Sequence, residues 1–237
     1  GKKVSITGKI DRIDVAEVLS GNSKGKFIRI IDYKSSSKNL DVNKIVNGLQ
    51  LQLITYIDAV CLNEAKIKAT EVPINPAGVL YFNLVEPLIN GRSINEEDLM
   101  KKIKDMYRMQ GYIVSGFSIP NMMDKDFSLS EKNEYFKYSP NGVGGKDILV
   151  DQVNFSNLQK YTKKVLKDIS NSIMNGNIDI RPVCYGRNEI ACQYCKYKSI
   201  CQFNPKFKNN KYKFIDVKSK DTVFEQIKLD LCSEDNK

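Results

Sequence analysis

The sequence predicts an α/β domain built on a mixed sheet. Segments with two-residue apolar alternation are interleaved with segments of three- and four-residue apolar spacing, the pattern of strands and helices layered in one domain. The first two strand-like segments are separated only by a short polar, glycine-containing stretch. They therefore pair as an antiparallel hairpin, and the sheet is mixed rather than all-parallel.

The elements follow in order. Val4, Ile6 and Ile10 share one face of a strand over residues 4–15, and Ile13 and Val15 take up the other; the phase change near Asp11 marks a bulge. Residues 20–26 form the hairpin loop. Residues 27–33 are a nearly continuous apolar strand, as expected near the centre of a sheet. A helix is expected over 43–62, where Val46, Leu49, Leu53, Ile57 and Val60 recur at helical spacing. A third strand covers 78–85. Ser93 or Asn95 caps a helix running to about residue 109, with Glu96, Glu97 and Asp98 in its first turn. Residues 115–147 are polar and irregular, with Gly142, Gly144 and Gly145 late in the stretch, and read as a long surface insertion. A helix over 157–175 carries Leu158, Tyr161, Val165, Ile169 and Ile173 on one face and ends at Gly176. A cysteine cluster and a basic tail follow. No internal repeat is evident.

Composition narrows the chemistry. The 237 residues suffice for one sizeable core with or without an appended lobe. No apolar run approaches the ~18–20 residues that span a bilayer, and charge interrupts the N-terminal stretch before a signal peptide could develop. The expected compartment is the cytoplasm. The chain starts without Met and directly in strand-like alternation, which reads as a fragment of something longer. Its net charge of +9 fits either a polyanionic partner such as nucleic acid or solubility alone. The sequence contains no His, which excludes Ser-His-Asp and Cys-His catalysis and a Cys/His zinc finger within this chain. Hydrolytic chemistry must come from carboxylates, Lys, Tyr or a metal.

The segment Ile30-Ile31-Asp32-Tyr33-Lys34-Ser35-Ser36 is the most informative. Alternation puts Ile28, Ile30, Asp32 and Lys34 on one face. An apolar face ending in a carboxylate and an ammonium is either a strand emerging into solvent with an ordinary ion pair, or a site where paired or ligand-bound charges offset a burial cost of several kcal/mol. Asp11 and Asp14 lie on the preceding strand, and a hairpin brings one of them beside Asp32. Carboxylates held close repel unless a cation lies between them; oxygen donors suit Mg²⁺ or Mn²⁺. Gln52 and Tyr56, four residues apart, share one helix face, where they either border a core or orient a phosphate or water. Cys192-x2-Cys195-x5-Cys201 places three thiols within ten residues. Zinc or an iron–sulfur cluster would each want a fourth ligand, and Cys184 is the local candidate. Cys61 falls on an apolar helix side and Cys232 in a charged tail. Six lysines, Lys206, Lys208, Lys211, Lys213, Lys218 and Lys220, are interleaved with Phe207, Tyr212 and Phe214. They either contact a DNA strand through phosphates and stacking or form a solvated, fraying tail.

In order, Gly8-x-x-Asp11, Asp32-Tyr33-Lys34-Ser35 and Gln52-x-x-x-Tyr56 resemble the motifs of PD-(D/E)xK nucleases of the RecB-like branch. The fuller wording Gly8-Lys9-Ile10-Asp11-Arg12-Ile13-Asp14, Ile31-Asp32-Tyr33-Lys34-Ser35-Ser36 and Gly48-Leu49-Gln50-Leu51-Gln52-Leu53, with the cysteines, resembles the AddB family of bacterial helicase–nuclease proteins over nearly the whole chain. The resemblance implies a restriction-endonuclease-like fold, with a nuclease core over 1–180 lacking its first element and a C-terminal iron–sulfur lobe and basic tail over 181–237. It implies Asp11 and Asp32 as ligands of Mg²⁺ or Mn²⁺, Lys34 as the catalytic lysine, and Gln52 and Tyr56 as an accessory pair. Gln50 competes for the Gln role; Asp14 is placed behind Asp11 because it faces the other way along a strand. The family's metal-binding His, on an element before the first strand, has no counterpart here, which puts the isolated fragment's activity in question. Cys192, Cys195 and Cys201 correspond to three ligands of a 4Fe–4S cluster whose fourth Cys lies far upstream in that family, so the fragment alone is expected to lack the cluster. An AddA-like helicase partner, DNA as substrate and 5′→3′ exonuclease polarity in double-strand break repair also follow from the resemblance. Two readings stand beside it: another RecB-like iron–sulfur nuclease such as the CRISPR-adaptation type, and an inert DNA-binding or scaffold module.

Overall fold

The structure, a computed structural model, describes residues 3–18, 24–63, 74–84, 95–116, 119–138, 140, 148–186, 189–207 and 209–234. A five-stranded mixed sheet, ordered β1-β2-β3-β4-β5, runs through its centre. The strands are β1 (Arg12–Val18), β2 (Gly25–Lys34), β3 (Ile74–Asn83), β4 (Gln110–Ser115) and β5 (Leu149–Asp151). The β1–β2 and β3–β4 pairs are antiparallel; β2–β3 and β4–β5 are parallel. This is the α/β class with a mixed sheet that the interleaved pattern predicts.

A parallel pair needs a crossover between its strands, and β2 and β3 are linked by α1 (Val42–Val46) and α2 (Gln52–Leu62). The single helix expected over 43–62 is thus two. Gly48 (φ 84°) and Gln50 (φ 53°) both occupy left-handed backbone, which no α-helix tolerates in its interior. The side chain of Gln50 holds this break closed, accepting from Asp41 N at 3.0 Å and donating to Asn39 O at 3.0 Å. The apolar spacing survives the interruption because Ile45, Leu53, Ile54 and Ile57 all still reach the core.

The first strand begins at Arg12 rather than at residue 4. Val4 and Ile6 are exposed, and among the described residues no strand pairs with them. Helix α3 (Glu96–Met106) is capped by Asn95, whose side chain accepts from Asp98 N at 2.7 Å; Ser93 lies outside the described residues. It stops short of 109 because Gln110 already pairs with Tyr81 in the sheet. The stretch read as a surface insertion is a further correction. It begins at the end of β4, holds α4 (Ile119–Met123), and buries Ile119, Phe136 and Tyr138. Phe127 packs at 5.6 Å and 5.2 Å from Phe136 and Tyr138. The glycines at 142, 144 and 145 and the tip of the first hairpin (19–23) lie outside the described residues.

Helix α5 (Gln152–Met174) starts five residues earlier than expected, where Asp151 caps it by accepting from Asn154 N at 2.9 Å. Its buried face packs on α2 and on α7 (Lys220–Glu234), which follows the one-turn α6 (Lys198–Cys201) in the chain. The basic C-terminal stretch is structured: β8 (Lys213–Ile215) joins β6 (Val183–Tyr185) and β7 (Glu189–Ile190) in a small sheet. Val223, Phe224 and Ile227 of α7 then enter the main core. None of the helices among the described residues is long and apolar enough to cross a membrane.

Candidate nuclease site

Strand β2 delivers the central pair. Ile28 and Ile30 are buried, and on the same face Asp32 is only 2% exposed. The side chain of Lys34, two residues on, places Nζ 2.5 Å from Asp32 Oδ2. That oxygen is buried and accepts no hydrogen bond, so the ammonium is the charge that offsets it. Lys34 is held from two further sides. Its Nζ donates to Gln52 Oε1 at 3.1 Å and lies 5.5 Å from the centre of the Tyr81 ring. Gln52 in turn donates through Nε2 to the Tyr56 hydroxyl at 3.2 Å. A continuous chain, Asp32–Lys34–Gln52–Tyr56, therefore joins the end of β2 to the first turn of α2.

Asp11 stands one residue before β1, and its Oδ2 accepts from Tyr33 N at 3.1 Å. The β1–β2 register pairs Arg12 with Ile31, so Asp11 meets β2 at the Asp32 end. Asp14 goes elsewhere: Arg12 reaches it at 2.7 Å and Arg29 at 2.6 Å. Burial pushes its carboxyl up, but the hydrogen bonds from Arg12 and Arg29 outweigh this and hold it below its ordinary value. Gln50, bound to the loop backbone as described, does not join the chain.

Three positioning features were not read from the sequence. Gly8 leaves room for Tyr56: a Cβ there would stand 2.7 Å from a ring carbon and 2.8 Å from the hydroxyl. Asn83, buried at the end of β3, accepts from Lys38 N at 3.0 Å and donates to Lys38 O at 3.2 Å, tying down the serine-rich turn after Lys34. Tyr81 sits beside Asp32 in the β2–β3 register. Burial and the Asp32 charge push its phenol up to about 12, so it stays neutral next to the carboxylate. A polar residue closing an apolar strand was the available signal for Asn83; the contacts of Gly8 and Tyr81 are long-range and left none.

The donor chemistry of Asp11 and Asp32 fits a hard divalent cation, which binds few protein carboxylates and fills its shell with other oxygens. Asp32 supplies a buried oxygen that faces the Lys34 ammonium outside hydrogen-bond geometry. Among the described residues no three His, Cys, Asp or Glu side chains converge on one point.

The cysteines lie in the small C-terminal sheet and the turns after it. Cys192, in a 3₁₀ turn (Ala191–Tyr194), joins Cys195 and Cys201 in lining a cavity of about 390 Å³ with Phe203 and Tyr212. Burial, reinforced by Cys195 and Cys201, pushes the Cys192 thiol up. Cys184 is buried in β6 with its thiol directed to Gly186 O at 3.7 Å and is not in that lining. Cys61 packs against the main core and Cys232 is exposed on α7. The C-terminal stretch is tied to α1 and its cap by side-chain contacts. The Tyr185 hydroxyl donates to Asp41, Lys44 pairs with Glu189 at 2.8 Å, and Asn43 exchanges hydrogen bonds with the Lys218 backbone at 2.9 and 3.0 Å.

A family model described as the PD-(D/E)XK nuclease superfamily matches residues 1–202. Among curated proteins, the chain is similar to a subunit of the ATP-dependent helicase/deoxyribonuclease of Thermoanaerobacter sp. (strain X514), 33% identical over 100% of this chain and 20% of the relative. The like-named protein from Oceanobacillus iheyensis is 34% identical over 94% of this chain and 19% of its own length. That from Caldanaerobacter subterraneus subsp. tengcongensis is 35% identical, covering 95% and 19%. The chain thus spans about a fifth of the length of these relatives. The motif order, the Asp32–Lys34 geometry and the matched family agree, and the chain belongs to the PD-(D/E)XK nuclease superfamily.

Proposed function

We propose that this chain is the nuclease domain of a larger helicase–nuclease protein and hydrolyses DNA phosphodiesters with a divalent metal, Mg²⁺ or Mn²⁺. The observation that carries this reading is the chain Asp32–Lys34–Gln52–Tyr56 with Asp11 beside it. Asp11 and Asp32 hold the ion. When bound, such an ion acts as a Lewis acid on phosphate oxygen and lowers the pKa of water. Lys34 brings a positive charge to where negative charge develops on phosphorus-bound oxygens. Gln52, fixed by Tyr56, keeps that ammonium aimed at the carboxylate end of β2 rather than free in solvent.

The finer reading rests on the relatives. Their name, a subunit of an ATP-dependent helicase/deoxyribonuclease, supports DNA as substrate and a helicase partner; an AddA-like identity for that partner, exonuclease action on an unwound strand, break repair and 5′→3′ polarity are carried by the family resemblance alone. Cys192, Cys195 and Cys201 line one cavity without converging on a single point; a 4Fe–4S cluster held by them, with a fourth ligand from outside this chain, is carried by the family resemblance. The division into a core over 1–180 and a cysteine lobe over 181–237 remains part of this proposal. So does the role of a His outside this chain.

End-labelled single-stranded DNA incubated with the full-length protein tests the reading. Cleavage is expected with Mg²⁺ or Mn²⁺ and is lost on chelation. Asp32→Ala is expected to lower the rate by about two orders of magnitude or more. Salt-sensitive binding with no cleavage under any metal would favour the scaffold reading instead.

A further inference from the structure

An aromatic row leaves the site along the opposite face of the sheet. Tyr33, between Asp32 and Lys34, points away from them by strand alternation and is 39% exposed. Its ring meets Phe82 edge-on at 5.9 Å. Phe82 is half-buried and stacks on Tyr107, also half-buried, at 6.2 Å with the planes 18° apart. The β2–β3 register, which pairs Tyr33 with Phe82, fixes the first step. The turn between α3 and β4 supplies Tyr107. Phe82 packs partly against the core, whereas Tyr33 and Tyr107 are not in that cluster, and the three rings stand together at the end of the sheet that carries the candidate metal ligands.

Cations flank both ends of the row. At the Tyr33 end, Arg12 and Arg29 share the single carboxylate of Asp14, and Arg12 also hydrogen-bonds the Tyr33 hydroxyl. At the Tyr107 end, Arg108 and Lys132 share the single carboxylate of Asp105, at 3.4 and 2.6 Å. Each of these two carboxylates is therefore shared by two cations beside an apolar, ring-lined strip. That combination suits a strand with phosphates outside and bases inward: cations track the backbone, and ring faces hold bases whatever their sequence. A duplex keeps its bases stacked on one another and could not use the rings.

We propose that Tyr33, Phe82 and Tyr107 form a stacking platform that holds unpaired bases of a single DNA strand next to the cleaved phosphodiester. The proposal rests on the nuclease reading above and deepens it by naming where the strand lies. The strand crosses the C-terminal ends of β2 and β3, with its phosphodiester at Asp32 and Lys34 and its neighbouring bases on the far face. The platform makes the enzyme selective for unpaired DNA with no sequence preference.

The test is steady-state cleavage by the full-length protein of two single-stranded oligonucleotides, one ordinary and one with a run of abasic positions. Tyr107→Leu is expected to raise KM on the ordinary strand about tenfold, as losing one base stack should, with kcat changed less than about twofold. On the abasic strand the same variant should match the unsubstituted protein, and Tyr107→Phe should restore the ordinary KM. Should Tyr107→Leu fail to fold, Tyr33→Leu carries the same comparison. Unchanged KM on the ordinary strand, or an equal loss on both strands, would overturn the platform. Lys34→Ala run alongside separates the two claims: if it abolishes cleavage while Tyr107→Leu changes nothing, the platform falls and the nuclease reading stands.

Discussion

At the scale of single residues, two aspartates three positions apart have different environments. Asp11 accepts one backbone N–H and stands at the Asp32 end of β2. Asp14 is consumed by Arg12 and Arg29. Their spacing on a strand separates them onto opposite faces, which is why the pattern alone ranks one before the other. Asp14 also has a measurable signature. Its carboxyl is held below its ordinary value of 3.8, so the unfolded chain takes up a proton at pH values where the folded chain does not. The stabilisation is complete above that ordinary value and is lost as pH falls through the lower folded one. Melting temperature followed from about pH 6 downward is expected to fall less steeply for Asp14→Asn than for the unsubstituted chain; identical slopes would show that the arginine pairs contribute nothing.

At the scale of elements, strands and helices with strong apolar periodicity were legible, and their ends mostly were not. Residues 27–33 read as a strand because every second or adjacent side chain is apolar, and β2 is buried from Phe27 to Asp32 apart from Arg29. The break between α1 and α2 escaped because its cause is backbone conformation at Gly48 and Gln50, which apolar spacing does not encode. Gly48 alone was a weak cue, since glycine inside a helix is tolerated at modest cost. Residues 4–10 and 115–138 failed in opposite directions. The first alternates without a partner strand; the second is polar in composition yet buries Phe136 and Tyr138 through a few long-range contacts. The α1–α2 break gives its own prediction. Gly48→Ala forces a Cβ into left-handed backbone at a cost of about 1–2 kcal/mol, with only the flexible tips of Ile169 and Val165 nearby. Amide exchange over residues 42–62 should therefore quicken by roughly tenfold, and unchanged exchange would show the break to be unstrained.

At the scale of the whole molecule, the candidate site draws on residues far apart in sequence, from Gly8 to Asn83, and only the sheet and its crossover assemble them. The residues proposed for catalysis could be singled out because each of their motifs is short and local. The supports were not, because Gly8 against Tyr56 and Asn83 against Lys38 are contacts between residues more than forty positions apart. The C-terminal stretch shows the same limit. Its lysine-rich composition left a fraying tail as one reading, yet it folds back through Asn43, Lys44 and Asp41 onto the helix preceding Gln52.

The central claim is that Lys34, clamped between Asp32 and Gln52, serves phosphodiester cleavage rather than merely closing an ion pair. Metal-dependent cleavage of end-labelled single-stranded DNA by the full-length protein, compared with Lys34→Ala at matched folding, tests it most directly. The account predicts a fall of about two orders of magnitude or more in kcat with DNA binding retained. Equal cleavage by the two proteins would mean that the Asp32–Lys34 pair is structural and the nuclease assignment of this site is wrong.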